Sequence, residues 1–349
     1  MTTHIFISEN LYTFKYLKFL EGNFDISSSV FVFKKAFSIE FNYGEALSGR
    51  IIKTRNNISF FYSLMPLLRR SSRILFHQLP HGPSLILWSL FPGLLKKVTW
   101  IIWGGDVYLY QQAGKSISGR FYEYFRRKII RRIPRIASFA PGDYETVREV
   151  YGTVAEYLHS MYPLPVDFLN YQGKARDGVF TILAGNSGSP SNRHLEILEK
   201  LAPLKDYDIR IFCPLSYLGD AEYIRSVERS GEMLFGEKFI PLHQILETSE
   251  YLDLLYNTDA GIMNHDRQQG LGNILPLLYF GKKVYARSGT SSYRYLESLG
   301  CCLYDIAALD KFDESLFNPE SEKLERNKQI VAGLLSGERY IKTWEKILN

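Results

Sequence analysis

The stretch Asp266-Arg267-Gln268-Gln269-Gly270-Leu271-Gly272-Asn273 combines residue types suited to phosphate chemistry. It lies between an apolar run ending Asp259-Ala260-Gly261-Ile262-Met263 and a second run from Ile274 to Phe280 closed by Gly281. That order reads as strand, glycine loop, helix. The first N–H groups of a helix have no partner inside it and can hold a phosphate. Gly270 and Gly272 let phosphate oxygens approach the backbone, and Arg267 suits a paired phosphate contact. A second loop of small residues, Gly185-Asn186-Ser187-Gly188, follows the apolar run Val179–Ala184 and offers a further cradle of N–H groups. The plainer alternative there is a tight turn with Ser191 or Asn192 as a helix cap. Tyr217, in Cys213-Pro214-Leu215-Ser216-Tyr217, also follows a strand and can touch a nucleotide or simply close a loop. In the C-terminal half of an α/β protein these loops point to a nucleotide-diphosphate ligand.

The elements that must position these loops are short apolar runs separated by helical stretches. Strands are expected near 4–8, 29–33, 73–77, 98–103 and 135–140, and again near 179–184, 208–213, 260–263, 282–286 and 301–304. Alternation of strand and helix over 349 residues predicts parallel, doubly wound sheets in two Rossmann-like domains. Tyr162 to Asp177, with Pro163, Pro165 and Gly173, reads as the linker. The expected division is 1–165, 175–320 and a C-terminal helix over 321–349 that crosses back to the first domain. Ligands in such sheets sit at the carboxyl ends of the strands, so the expected site is the cleft between the domains.

Charge divides along the same line. Residues 1–165 hold 21 Lys/Arg and 11 Asp/Glu, a net of +10, and residues 166–349 hold 21 and 26, a net of −5. A basic first half implies an anionic partner: a phosphate-bearing substrate, an acidic membrane or nucleic acid. Cys213, Cys301 and Cys302 form no disulfide or metal-binding pattern, which fits a reducing compartment. The start of the chain lacks the pattern of a signal peptide. The apolar stretch Pro83–Leu95 is too short to span a bilayer, so a soluble or peripheral protein is expected. No P-loop is present. Asp206-Tyr207-Asp208 matches a D-x-D metal motif but precedes a strand rather than following one, and reads as a solvated turn.

From Phe239 to Gly281 the chain resembles the second domain of GT-B glycosyltransferases. The shared pattern is a short strand, a helix like Tyr251-Leu252-Asp253-Leu254-Leu255-Tyr256, an Asp before a strand, an E-G-x-G loop and a helix ending in Gly. Here the loop reads Gln269-Gly270-Leu271-Gly272. Retaining members carry two glutamates around this loop and helix; Gln269 replaces the first and the second has no counterpart, which implies inversion. Three blocks in register narrow the resemblance: Trp103-Gly104-Gly105-Asp106-Val107-Tyr108, then Gly185-Asn186-Ser187-Gly188 with Ser191-Asn192 and His194, then Arg267 to Gly272. Together they are similar to the TDP-N-acetylfucosamine:lipid II N-acetylfucosaminyltransferase family, a 4-alpha-L-fucosyltransferase-like group, from about residue 70 to 300. The resemblance implies a GT-B fold and inverting, metal-independent transfer of a 4-acetamido-4,6-dideoxygalactose unit. The donor would be a dTDP-sugar, a substrate rather than a cofactor. The acceptor would be a polyprenyl-diphosphate-linked saccharide at the cytoplasmic face of the inner membrane, in the synthesis of a surface glycan such as enterobacterial common antigen.

Inversion needs a general base on the acceptor hydroxyl and a stabilised leaving diphosphate. Asp106, in a glycine loop after a strand, is the first candidate base; its alternative role is a helix cap. His77 and His81, around the end of the 73–77 strand, are the other candidates, against ordinary packing. Arg267 with Gly270 and Gly272 would hold the diphosphate. Asp266 would bind a sugar hydroxyl or pair with Arg267, and Gln268 and Gln269 would bond the donor. The donor set is thus Gly185, Asn186, Ser187, Gly188, Tyr217, Asp266, Arg267, Gln268, Gln269, Gly270 and Gly272. Arg126, Arg127, Lys128, Arg131 and Arg132 lie on one helical stretch and would meet an anionic membrane or the acceptor diphosphate, the alternative being a solvated face. Two other readings are a sugar-nucleotide epimerase, disfavoured by the missing acidic pair, and a nucleic-acid-binding protein, for which no recognition motif accompanies the basic helix.

Overall fold

The computed structural model describes residues 1–34, 41–54, 57–164, 166–173, 178–310, 316–317 and 321–349, with residues 57–63 and 321 described by backbone alone. Pro165 and residues 174–177 of the expected linker lie outside the described residues. The chain forms two units, Met1–Pro165 with Gly337–Asn349, and Val166–Ser336. The tail therefore divides at Ser336: the Ser321–Leu334 helix belongs to the second unit and the Gly337–Leu348 helix to the first.

In the first unit, strands β1 (Thr2–Phe6), β2 (Ser29–Phe33), β3 (Ile51–Lys53), β4 (Arg73–His77), β5 (Val98–Ile101), β6 (Arg135–Ser138) and β7 (Glu156–His159) form a parallel sheet in the order β3-β2-β1-β4-β5-β6-β7. The second unit has β8 (Phe180–Ala184), β9 (Ile209–Pro214), β10 (Phe239–Leu242), β11 (Ala260–Met263), β12 (Lys283–Ala286) and β13 (Tyr304–Asp305), parallel in the order β10-β9-β8-β11-β12-β13. The central strands are apolar on both faces because helices cover both. Ile74 and Phe76 pack into one core with Trp88, Trp100 and Ile136, while Leu75 packs into another with Phe6, Phe31 and Phe33. The Gly337–Leu348 helix completes that second core: Trp344 is fully buried and donates its Nε1–H to the Met161 carbonyl at 2.9 Å.

The same core encloses two imidazoles. His4 and His77 are 0% and 1% exposed. His4 Nδ1 lies 3.1 Å from His77 Nε2, so one ring donates and the other accepts, which excludes a pair of imidazolium cations. His77 Nδ1 bonds the Tyr162 hydroxyl, and the His77 ring stacks on Phe6 with centroids 4.0 Å apart. Burial pushes His4 down to about 3. Burial, helped by the neighbouring His4, holds His77 well below its usual value. Both ring nitrogens of His77 are engaged inside the core, which removes it from the candidate bases: a base must reach an acceptor hydroxyl.

A base with a folded pKa below its unfolded value of 6.5 contributes stability that is full above that value and is lost as pH falls toward the folded one. His4 and His77 together therefore make the first unit acid-labile, His4 alone removing about 2 kcal/mol between roughly pH 7 and pH 5. Urea denaturation at the two pH values measures this; an unchanged unfolding free energy would contradict neutral burial.

Candidate functional site

In the second unit β8 comes first in the chain and lies centrally. Later strands extend outward on one side as β9 and β10 and on the other as β11 to β13. Where the order reverses, the loops leaving β8 and β11 diverge and open a crevice at their carboxyl ends. Those loops are Gly185–Gly188 and Asn264–Gly270, which hold most of the expected donor residues.

A hydrogen-bonded network fixes both loops. Asn192 Oδ1 accepts the Asn186 backbone N–H at 2.9 Å, while its Nδ2 donates to Ser187 Oγ and to the Ser189 carbonyl, each at 3.1 Å. This sets the amide's orientation, so His265 Nε2, 2.9 Å from the same Oδ1, carries the proton. That N–H is shared with Asn186 Oδ1 at 3.0 Å. Gln269 closes the circuit: its Nε2 donates to Asn186 Oδ1 at 3.1 Å, and its Oε1 accepts from Ser191 at 2.8 Å. Asn186 Nδ2 donates to the Tyr217 hydroxyl at 3.3 Å, and Gly188 N–H to the Tyr217 carbonyl at 2.8 Å. Gly185, Asn186, Ser187, Gly188, Tyr217 and Gln269 are thus one assembly. Burial, then the charges of Arg267 and His194, push His265 down to about 3, against an opposing bond to the Gln269 backbone. At neutral pH the ring carries a single proton.

Two glycines make room for this packing. Gly185 has φ +75°, and a Cβ there would fall 2.6 Å from His194 Nε2. Gly270 has φ +73°, and a Cβ there would fall 2.4 Å from His265 Cε1. Gly270 is also the N-cap of the Leu271–Tyr279 helix, which has no side-chain cap. Its first N–H groups are the kind that receive an anion. Gly272 sits in that first turn, and Arg267 and Gln268 are half-buried beside it. Asp266 is exposed and pairs with Arg193 at 2.5 Å. Arg193, a non-glycine residue at φ +52°, also bonds Glu196 at 3.2 Å, and Glu196 bonds Arg287 at 2.6 Å. Arg287 Nε and Asn273 Nδ2 are buried at this end of the sheet without a protein partner.

His265, Arg193 and Arg287 escaped the sequence reading. The available signal was position: each follows directly on, or faces, the end of a strand. Asp206-Tyr207-Asp208 forms an exposed turn before β9.

The first unit has its own reversal between β1 and β4. The loops leaving them, residues 7–10 and 78–82, contain two titratable groups. Glu9 is 1% exposed, accepts from the Tyr43 hydroxyl at 2.8 Å and pairs with Lys53 at 2.9 Å; sequence reasoning passed over it. His81 is exposed. Asp106 is not free to act as a base. Its Oδ2 accepts the Leu79 N–H at 3.1 Å and Trp100 Nε1–H at 2.8 Å, and its Oδ1 accepts the Trp103 N–H at 3.0 Å. The carboxylate ties the loop after β4 to the loop after β5, where Gln78 at φ +78° turns Leu79 toward it. It is a strut rather than a cap.

The basic helix, Ile117–Ile130, also differs from expectation. Arg126 is buried, donating to the Asp106 carbonyl and to Tyr151 Oη at 2.9 Å. Arg127 donates to the Val150 carbonyl at 2.7 Å and Arg131 to the Tyr151 carbonyl at 2.7 Å, so both satisfy the end of the Pro141–Tyr151 helix. Arg132 bonds the Lys128 carbonyl at 2.9 Å. Several of these cations hold the protein together instead of forming a single outward row.

Solved structures share this architecture. WaaG, described as a glycosyltransferase involved in lipopolysaccharide biosynthesis, aligns at TM-score 0.68 with 10% identity, covering 99% of this chain and 98% of its own. Anabaena HepE in complex with UDP-glucose aligns at 0.70 with 8% identity over 99% and 98%. Sucrose-phosphate synthase from Thermosynechococcus elongatus aligns at 0.70 with 11% identity over 99% and 98%. The fold is therefore GT-B. A family model described as 4-alpha-L-fucosyltransferase glycosyl transferase group 56 matches residues 66–347.

Two substitutions test the local construction. Asp106→Ala orphans three N–H donors, two of them fully buried, and is expected to cost at least about 3 kcal/mol of unfolding free energy. Wild-type stability in that variant would refute the strut. Gly270→Ala meets both the left-handed backbone and the His265 ring, and is expected to cost about 1–3 kcal/mol. Chemical denaturation measures both.

Proposed function

The chain belongs to the 4-alpha-L-fucosyltransferase family, glycosyl transferase group 56, and on that premise we propose that it moves a deoxyamino sugar of the 4-acetamido-4,6-dideoxygalactose type from dTDP to a polyprenyl-diphosphate-linked saccharide. The observation that carries the donor half is the strand-end cluster of the second unit. An uncapped helix N-terminus, Arg267 and a fixed amide network converge where β8 and β11 diverge. HepE, of the same fold, holds UDP-glucose, which supports a nucleotide-sugar donor.

In this reading Arg267 and the N–H groups after Gly270 bind the diphosphate and stabilise the charge it gains as the bond from the anomeric carbon breaks. Gln268, and Asn186 through its exposed side, hydrogen-bond the donor. The acceptor hydroxyl attacks the anomeric carbon and gives its proton to His81, the exposed titratable group among the loop residues after β1 and β4. Gln269 cannot act as a carboxylate, and its amide is committed to Asn186 and Ser191; this supports inversion. A lipid-linked acceptor places the protein at the cytoplasmic face of the inner membrane. Among the described residues no helix is long and apolar enough to cross a membrane, so the attachment in this reading is peripheral. The product enters a bacterial surface glycan of the enterobacterial common antigen kind.

Thermal shift with dTDP, UDP and GDP tests the donor: dTDP is expected to raise the melting temperature most, and a larger shift with UDP or GDP would sink the dTDP assignment. His81→Ala is expected to lower kcat about 100-fold or more while leaving dTDP affinity unchanged. Unaltered turnover would move the base elsewhere, with Glu9→Gln as the next variant. NMR of the product's anomeric centre reads inversion directly.

A further inference from the structure

The Ile117–Ile130 helix buries one face, where Arg126, Ile129 and Ile130 are at most 2% exposed. Its opposite face is apolar as well. Ile117, Phe121 and Tyr124 are spaced four and three residues apart, which puts them on one side of a helix, and they are 80%, 52% and 63% exposed. The rings stand on a packed base: Phe121 lies 5.1 Å from Phe125 and 5.7 Å from Tyr122, and Tyr124 lies 5.3 Å from Phe125, with Phe125 and Tyr122 packed on the core. The same line of the helix continues to Lys128, with Arg120 beside it, Lys115 before it and the exposed Arg132 after it. From residue 109 to 135 the sequence contains eight Lys/Arg and one acidic residue, Glu123, and Glu123 faces Arg126 and Arg127 at 3.9 and 3.4 Å.

We propose that this face rests on an anionic phospholipid bilayer. Ile117 and Phe121 enter the boundary between headgroups and acyl chains, Tyr124 lies at headgroup level, and Lys115, Arg120, Lys128 and Arg132 meet lipid phosphates. An apolar stripe bordered by cations and almost devoid of carboxylates matches that surface in both hydrophobicity and charge. Arg126, Arg127 and Arg131 take no part in the contact, being engaged within the protein. The inference deepens the lipid-acceptor reading and rests on it.

Co-sedimentation of the full chain with vesicles tests it. The parent is expected to bind phosphatidylglycerol-containing vesicles, to bind pure phosphatidylcholine weakly, and to release at high salt. Ile117→Ser/Phe121→Ser/Tyr124→Ser is expected to lower partitioning about ten-fold or more. Its melting temperature and its transfer to a short-chain, water-soluble acceptor should be unchanged, and Phe121→Leu alone should retain binding. Equal binding by parent and triple variant, or no binding by the parent, overturns the face. So does a parent that is dimeric in solution where the triple variant is monomeric, since a second copy would then cover the stripe. A parent that binds vesicles through this face yet transfers no sugar to the lipid acceptor would instead overturn the acceptor reading.

Discussion

One imidazole proton holds the strand-end loops of the second unit in shape. His265 has room for its ring only because Gly270 lacks a side chain, and its Nε2–H joins the loop after β11 to two asparagines of the loop after β8. Every other bond in the circuit, from Gln269 to Asn186 and from Ser191 to Gln269, assumes the positions that this contact sets. A second proton on the ring would add charge in a buried site near Arg267, a cost that the bond to the Gln269 backbone does not offset. Burial that keeps the ring neutral thus also keeps positive charge concentrated on Arg267, where a departing diphosphate would need it.

The first unit uses the same physics to a different end. Buried polar groups must find partners, and here they find them in each other: Asp106 takes three N–H groups, and His77 is bonded on both sides. Each resembles a catalytic residue in sequence because each sits at the end of a strand. Asp106 is spent on structure because the loops after β4 and β5 have backbone N–H groups that no strand or helix satisfies, and His77 because its neighbours in the core are themselves polar rings. His81, two residues beyond the contact at Leu79, is exposed.

These contrasts mark how far the sequence was legible. Apolar runs such as Arg73–His77 and Ala260–Met263 coincide with β4 and β11, because continuous hydrophobic strands between glycine-rich loops leave a strong pattern. The edge strands β3, three residues long, and β7, Glu156-Tyr157-Leu158-His159, left none, being short or half polar. The loops after β8 and β11 were readable from glycine spacing. Hydrogen-bond direction was not: that Asp266 would choose Arg193, or that Arg127 and Arg131 would close the Pro141–Tyr151 helix, depends on groups brought together only by folding. Single histidines were least legible, since His77, His81 and His265 all follow or end strands and yet occupy three different environments.

The Gly337–Leu348 helix belongs to the first unit but is synthesised after the whole of the second. During translation the second unit has all its strands outside the ribosome while the first still lacks Trp344, the residue that seals the aromatic core around Tyr16 and Tyr162. The N-terminal unit therefore reaches its finished state last, reversing the usual order in which domains mature from the N-terminus. A chain that lacked residues 337–349 would hold every element of the second unit beside a first unit whose aromatic core is open.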